Sequence, residues 1–127
     1  MRQPNITKSR IIKHLCFEYD KVNDLLYVYK KNANVYSNVE IGDIHAEFDK
    51  YSQVIGVEIL RASEILKEYK ISKRILENID NVDLKIVVSN NLLMVFIIIS
   101  GLDQEKEAAI TLNNLGAPIM KAASANI

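Results

Sequence analysis

The sequence predicts an α+β fold: a mostly antiparallel β-meander, one or two short helices, then a C-terminal β-hairpin and one further strand. Three observations carry this reading. Apolar and polar residues alternate at period two through most of residues 14–60, which is strand behaviour. The period lengthens to helical spacing between Ser63 and Ile79. It returns to strand spacing from Asp83 through the run "LLMVFIIIS" at residues 92–100.

Each element follows in order. Residues 1–12 read as a flexible basic tail, with Arg2, Lys8 and Arg10 and no acid. In "HLCFEYD", Leu15, Phe17 and Tyr19 alternate with His14, Cys16, Glu18 and Asp20. The turn "KVND" leads to "LLYVYKK", and "NAN" at 32–34 makes the next turn because Asn tolerates left-handed backbone. "VYSNVEIGDIHAEFDK" is one bent strand or two broken at Gly42, and "VIGVEIL" closes the meander. The connections are too short for parallel crossovers, so pairing is antiparallel. Ser63 is placed to cap a helix with the stripe Ile65, Leu66 and Tyr69, and Ser72 a second one with Ile75, Leu76 and Ile79. "DLKIVV", the turn "SNN", "LLMVFIII" and "EAAITLNN" form the C-terminal strands, while Pro118 disfavours a central strand in "GAPIMKAASANI". Residues 13–79 are thus the meander and helices, and 80–127 an extension packed in the same single domain.

The totals narrow the function classes. A chain of 127 residues with 49% apolar and 25% charged residues can bury a core without staples and is not disordered. Sixteen basic residues cancel sixteen acidic ones, so no global field gathers phosphates, and nucleic acid is not an expected partner. Residues 14–60 hold eight acids against four bases. The single Cys16 forbids an internal disulfide and fits a reducing compartment, and the N-terminus lacks a signal-like apolar stretch, so the expected location is cytoplasmic. A membrane helix needs about 20 apolar residues, and "LLMVFIII" supplies eight. That run is a strand apolar on both faces. It is either central and buried or the seam of a homodimer, with Leu92, Met94, Phe96 and Ile98 as the interface.

Candidates for chemistry are sparse. His14 and Cys16 stand two apart on one strand, and His45 and Glu47 on another; if those strands were neighbours, the four could hold zinc. There is no CxxC and no HExxH, so neither a metal nor a cofactor is assigned. Asp20 and Asp24 frame the first turn, where paired carboxylates can do acid–base work but Asp is also the ordinary turn former. Glu58 interrupts an apolar strand. No GxSxG motif and four glycines leave no catalytic residues to name and no phosphate loop. The tyrosines Tyr27, Tyr29, Tyr36 and Tyr51 suit a protein interface.

Tyr19–Asp20, Asp24 before Leu26–Tyr27, the acidic turn at Asp49, and Gly56-x-Glu58-Ile59-Leu60 running into Ala62–Ser63 form a spaced pattern over residues 14–69. In these residues the chain resembles a family of small prokaryotic proteins, the domain of unknown function 2283. The turn "DKYSQ" departs from the family pattern by lacking its Gly, and residues 80–127 lie outside it. The resemblance implies a small meander followed by a helix and no established activity. It also implies antitoxin-like binding partners, since some members are thought to be encoded beside small toxin-like proteins. The expectation is a non-enzymatic homodimeric interaction module. The alternatives are an antitoxin-like binder of a small basic protein, or a metal- or ligand-binding domain using His45, Glu47, Asp20 and Asp24.

Overall fold

A computed structural model of the chain describes residues 7–89 and 92–112, and the period-two segments become strands of two separate antiparallel sheets. The five-stranded sheet contains β2 (Cys16–Asp20), β3 (Leu25–Tyr29), β4 (Ser37–Ile41), β5 (Ile44–Phe48) and β6 (Val54–Ile59). Its order is β2-β3-β6-β5-β4, which is not the simple meander expected. The chain leaves β3 for the far edge, returns through the β4–β5 hairpin, and inserts β6 in the gap. Apolarity explains the choice: "VIGVEI" is buried at five of its six positions and takes the centre, while "SNVEI" goes to an edge.

The four-stranded sheet has the order β1-β7-β8-β9, from β1 (Thr7–Ile12), β7 (Ile79–Ser89), β8 (Leu92–Gly101) and β9 (Gln104–Leu112). Residues 7–12, expected as tail, pair antiparallel with β7 from Thr7↔Ser89 to Ile12↔Leu84. "TKSRII" does not alternate, and it becomes a strand because β7 offers a long open edge. Its Arg10 turns inward, where the Nη2 group donates to the Val54 carbonyl oxygen at 3.2 Å. Burial lowers the pKa of that guanidinium, and nearby Asp49 opposes the shift.

Between the sheets run α1 (Ala62–Ile65), a 3-10 turn at Leu66–Tyr69 and α2 (Lys73–Leu76). Ser72 caps α2 as expected, its Oγ accepting the Ile75 N–H at 3.2 Å. Ser63 does not cap α1. Arg61 occupies the N-cap position in left-handed backbone (φ 50°) without a side-chain capping bond, and Ser63 lies inside the helix. Lys70 ends the 3-10 turn at φ 61°, so the joint at Ile71–Ser72 is a break. Leu66, Ile71, Ile75 and Leu76 join the buried faces of both sheets in one continuous apolar cluster.

Turn chemistry agrees with the strand pairing. Gly42, the first of two residues between Ile41 and its partner Ile44, takes φ +57°, as a type II′ hairpin turn requires. In "DKYSQ" the Asp49 Oδ1 accepts the N–H groups of Tyr51 at 2.9 Å and Gln53 at 3.0 Å. Ser52 there stands at φ 61°, a left-handed position that favours glycine. Ser52→Gly should therefore raise stability by about 1 kcal/mol, read as a higher melting temperature. A lower one would mean the Ser52 hydroxyl contributes more than its backbone costs.

Candidate functional site

Tyr19 and Ser63 of the family pattern converge on the carboxylate of Asp24. Asp24 ends the β2–β3 turn in left-handed backbone (φ 53°), which aims its side chain at the start of α1. Its Oδ2 accepts the Ser63 hydroxyl at 2.6 Å, and its Oδ1 accepts the Ser63 N–H at 3.0 Å and the Tyr19 hydroxyl at 2.6 Å. Its own carbonyl accepts the Ala62 N–H at 2.9 Å. Burial would raise the Asp24 carboxyl, but the hydrogen bonds from Ser63 and Tyr19, with Lys73 nearby, outweigh it and hold the group below its ordinary range. Burial and the bond to Asp24 push the Tyr19 phenol far above its own. The arrangement is a latch that ties the first hairpin to the helix. Asp20 is a turn former: its Oδ1 accepts the Val22 and Asn23 N–H groups, both at 3.0 Å.

The register assigns Tyr27, Gly56 and Glu58 of the pattern to the outer face of the five-stranded sheet, while Leu26 and Ile59 face the core. One row across it reads Cys16, Tyr29, Gly56, Glu47 and Asn38; the next reads Glu18, Tyr27, Glu58, His45 and Glu40. Tyr27 and Tyr29 stack with ring centroids 4.7 Å apart. The Tyr27 hydroxyl donates to Glu47 Oε1, across the position of Gly56. A methyl group on Gly56 would meet that carboxylate and displace the Glu47 side chain from Tyr27. Burial, then Glu47, raises the Tyr27 phenol. Glu58 faces His45 at 3.5 Å.

These rows separate the residues weighed for zinc. Cys16 and Glu47 share a row, but β3 and β6 lie between their strands, a gap of roughly 14 Å at ordinary strand spacing. His14 lies outside the sheet, its Nδ1 2.8 Å from Asn81 Oδ1. Among the described residues no group of three or more His, Cys, Asp or Glu is placed to hold a metal ion. Asp83, whose position within a strand pattern gives no sign of a special role, is buried and accepts the His14 N–H at 2.8 Å and the Asn81 amide at 3.1 Å, with Lys13 at 3.6 Å. It fastens the link between β1 and β2. Arg61 likewise holds Asp43 from its Nη2 at 2.6 Å.

The strand β8 is central in its sheet, between β7 and β9. Leu93, Val95, Ile97 and Ile99 are fully buried on its inner face. Leu92, Met94, Phe96 and Ile98 point outward and stay half-buried. Val87 lies beside Met94, Ala109 beside Phe96, and Lys85 sits over the Phe96 ring at 5.8 Å. The stripe thus keeps part of its apolar surface open. No described helix is long and apolar enough to cross a membrane.

Comparison with known proteins reaches the first sheet and goes no further in function. An uncharacterized protein of Methanocaldococcus jannaschii is 36% identical over 62 residues, which are 47% of this chain and 53% of that protein. The chain therefore spans about half the length of this curated relative. No solved structure matches this chain. Residues 17–63, from within β2 to within α1, match the model of the family described as "Protein of unknown function (DUF2283)", and the rest of the chain lies outside that match.

Proposed function

We propose that the protein is a non-enzymatic interaction module that acts as a homodimer, with the outer face of the four-stranded sheet as its seam. One observation carries the reading: Leu92, Met94, Phe96 and Ile98 form an apolar stripe on the outer face of β8 that stays only half-buried. A two-fold axis lying along β8, between two facing copies, would set β7 of one over β9 of the other. Phe96 would then face Phe96 of the second copy and Lys85 its Ala109, so the two half-buried stripes cover one another. A native mass spectrum, repeated after chelation, tests this. Two-chain mass insensitive to chelator is the expected result, and a one-chain mass at all protein concentrations would overturn it.

A second reading, binding of a small basic partner, is supported by Glu18, Glu40, Glu47 and Glu58 on the outer face of the other sheet, whose two central rows carry no Lys or Arg. Titration with a Lys-rich peptide should shift the Tyr27 and Tyr29 signals in a proton spectrum; unmoved signals would end that reading.

A further inference from the structure

The acidity of residues 14–60 is unevenly spread once the chain folds. Its glutamates stand across the outer sheet face, while Lys30, Lys31 and Lys50 are carried to one end of that sheet. There the loop after β3 and the turn after β5 border an open cavity of about 360 Å³, within the range of about 300–1,000 Å³ for small-molecule sites.

The floor is Ile55. Glu47 pairs with Gly56 and Phe48 with Val54, so the register skips Ile55 at a bulge. It is 4% exposed yet stands outside the main apolar cluster. The walls include Tyr36 and Tyr51, exposed at 76% and 57%. Two large rings left so open at one cavity, with Val35 at 47% beside them, are surface a ligand would cover.

The polar groups fix the sign of that ligand. No ion pair engages Lys30, Lys31 or Lys50 among the described residues, and Lys50 lies over the Tyr51 ring at 5.2 Å. Asp49 is the acid of the lining, and one of its oxygens is occupied by its own turn. The Arg10 guanidinium, close enough to feel that carboxylate, offsets its charge.

An apolar floor, aromatic walls and a cationic rim suit a planar ring bearing an anion. We propose that this cavity binds a nucleotide unit, with the base against Tyr36 and Tyr51 and the phosphate at the lysines. Free mononucleotide and a nucleotide within a single strand offer the same chemistry. The site is on the other sheet from the proposed dimer seam and does not depend on it.

The test is a titration of the full chain, followed by amide shifts, with adenosine monophosphate, a short oligothymidylate and inorganic phosphate. Saturable shifts confined to residues 30–36 and 49–55 are expected with one of the two nucleotide probes. Tighter binding of monophosphate identifies a free ligand, and tighter binding of the oligomer a strand. Lys31→Glu and Tyr51→Ala, both at exposed loop positions, should each weaken binding about 10-fold while the remaining spectrum stays native. Absence of shifts at millimolar probe, binding untouched by both substitutions, or equal affinity for inorganic phosphate would each overturn the proposal.

Discussion

Phe96→Lys is expected to halve the mass of the protein in solution while leaving each chain folded. Phe96 stands mid-strand on the half-buried side of β8, between Lys85 and Ala109, so the core packed by Val95 and Ile97 is untouched. In a two-fold seam along β8 the two Phe96 positions lie close to the axis. The substitution would bury a pair of like charges there, remove two aromatic anchors and add to the charge of Lys85. Unpaired charge in an interface centre costs several kcal/mol. A weakening of dimerisation by at least about 100-fold, or about 2.7 kcal/mol, is the minimum expected. A second readout separates dissociation from damage. The melting temperature of the natural sequence should rise with protein concentration, because association stabilises the folded chain by mass action. That of Phe96→Lys should not. A variant of unchanged mass, with a concentration-dependent melting temperature, would place the seam elsewhere.

The same strand shows how far sequence reading reaches. Its length and β-branched composition in "LLMVFIIIS" identify a strand that cannot remain at an edge, and β8 is indeed central. Alternation also located β2, β3 and β5, in which more buried and more open positions take turns, whereas β6 is buried at five of its six positions and is marked by its apolar run instead. What it could not supply was the sheet order. Local pattern says which face of a strand is apolar, but not which neighbour it chooses. The insertion of β6 between β3 and β5 depends on competition among whole strands for the central positions. β1 was invisible for a related reason: "TKSRII" has no periodicity of its own, and its strand state comes from the open edge of β7. The expectations for "SNN" partly, and for residues 113–127 wholly, lie outside the described residues.

For the candidate sites the limit was pairing in space. Tyr19, Asp24 and Ser63 are recognisable as a spaced pattern, yet 39 residues separate Asp24 from Ser63, and nothing local says that they touch. A Ser before an apolar stripe commonly caps a helix, but the Ser63 hydroxyl donates to Asp24 instead. The basic end at Lys30, Lys31 and Lys50 was hidden by counting charge along a segment, which sums over opposite faces of a sheet. His14, Cys16, His45 and Glu47 failed to meet for the converse reason, since residues two apart share a face without sharing a neighbourhood.

Asp24→Ala should be the most destabilising single change at a half-exposed position, and its pH dependence is diagnostic. The carboxylate accepts three hydrogen bonds, two of them at 2.6 Å, and its removal leaves the Tyr19 and Ser63 hydroxyls facing an empty site. Hydrogen bonds to a charged acceptor contribute about 1.5–3 kcal/mol each. Discounted for partial exposure and for replacement by water, the expected loss is about 2–4 kcal/mol in all. Ala also tolerates the φ of 53° less well than Asp does. Asp24→Asn keeps the shape and the backbone preference but loses the charge, so it should cost less. Because the native carboxyl is held below its ordinary value, the unfolded chain binds the proton more readily than the folded one. The stabilisation is therefore complete above about pH 5 and is lost as pH falls through the folded value. Thermal melts of the natural chain and Asp24→Asn should differ most near neutrality and converge toward pH 3. Asp20 and Asp83, which are also held low, remain in both proteins and cancel in the comparison. A gap between the two melts that stays constant down to pH 3 would show that the latch works through shape alone, without its charge.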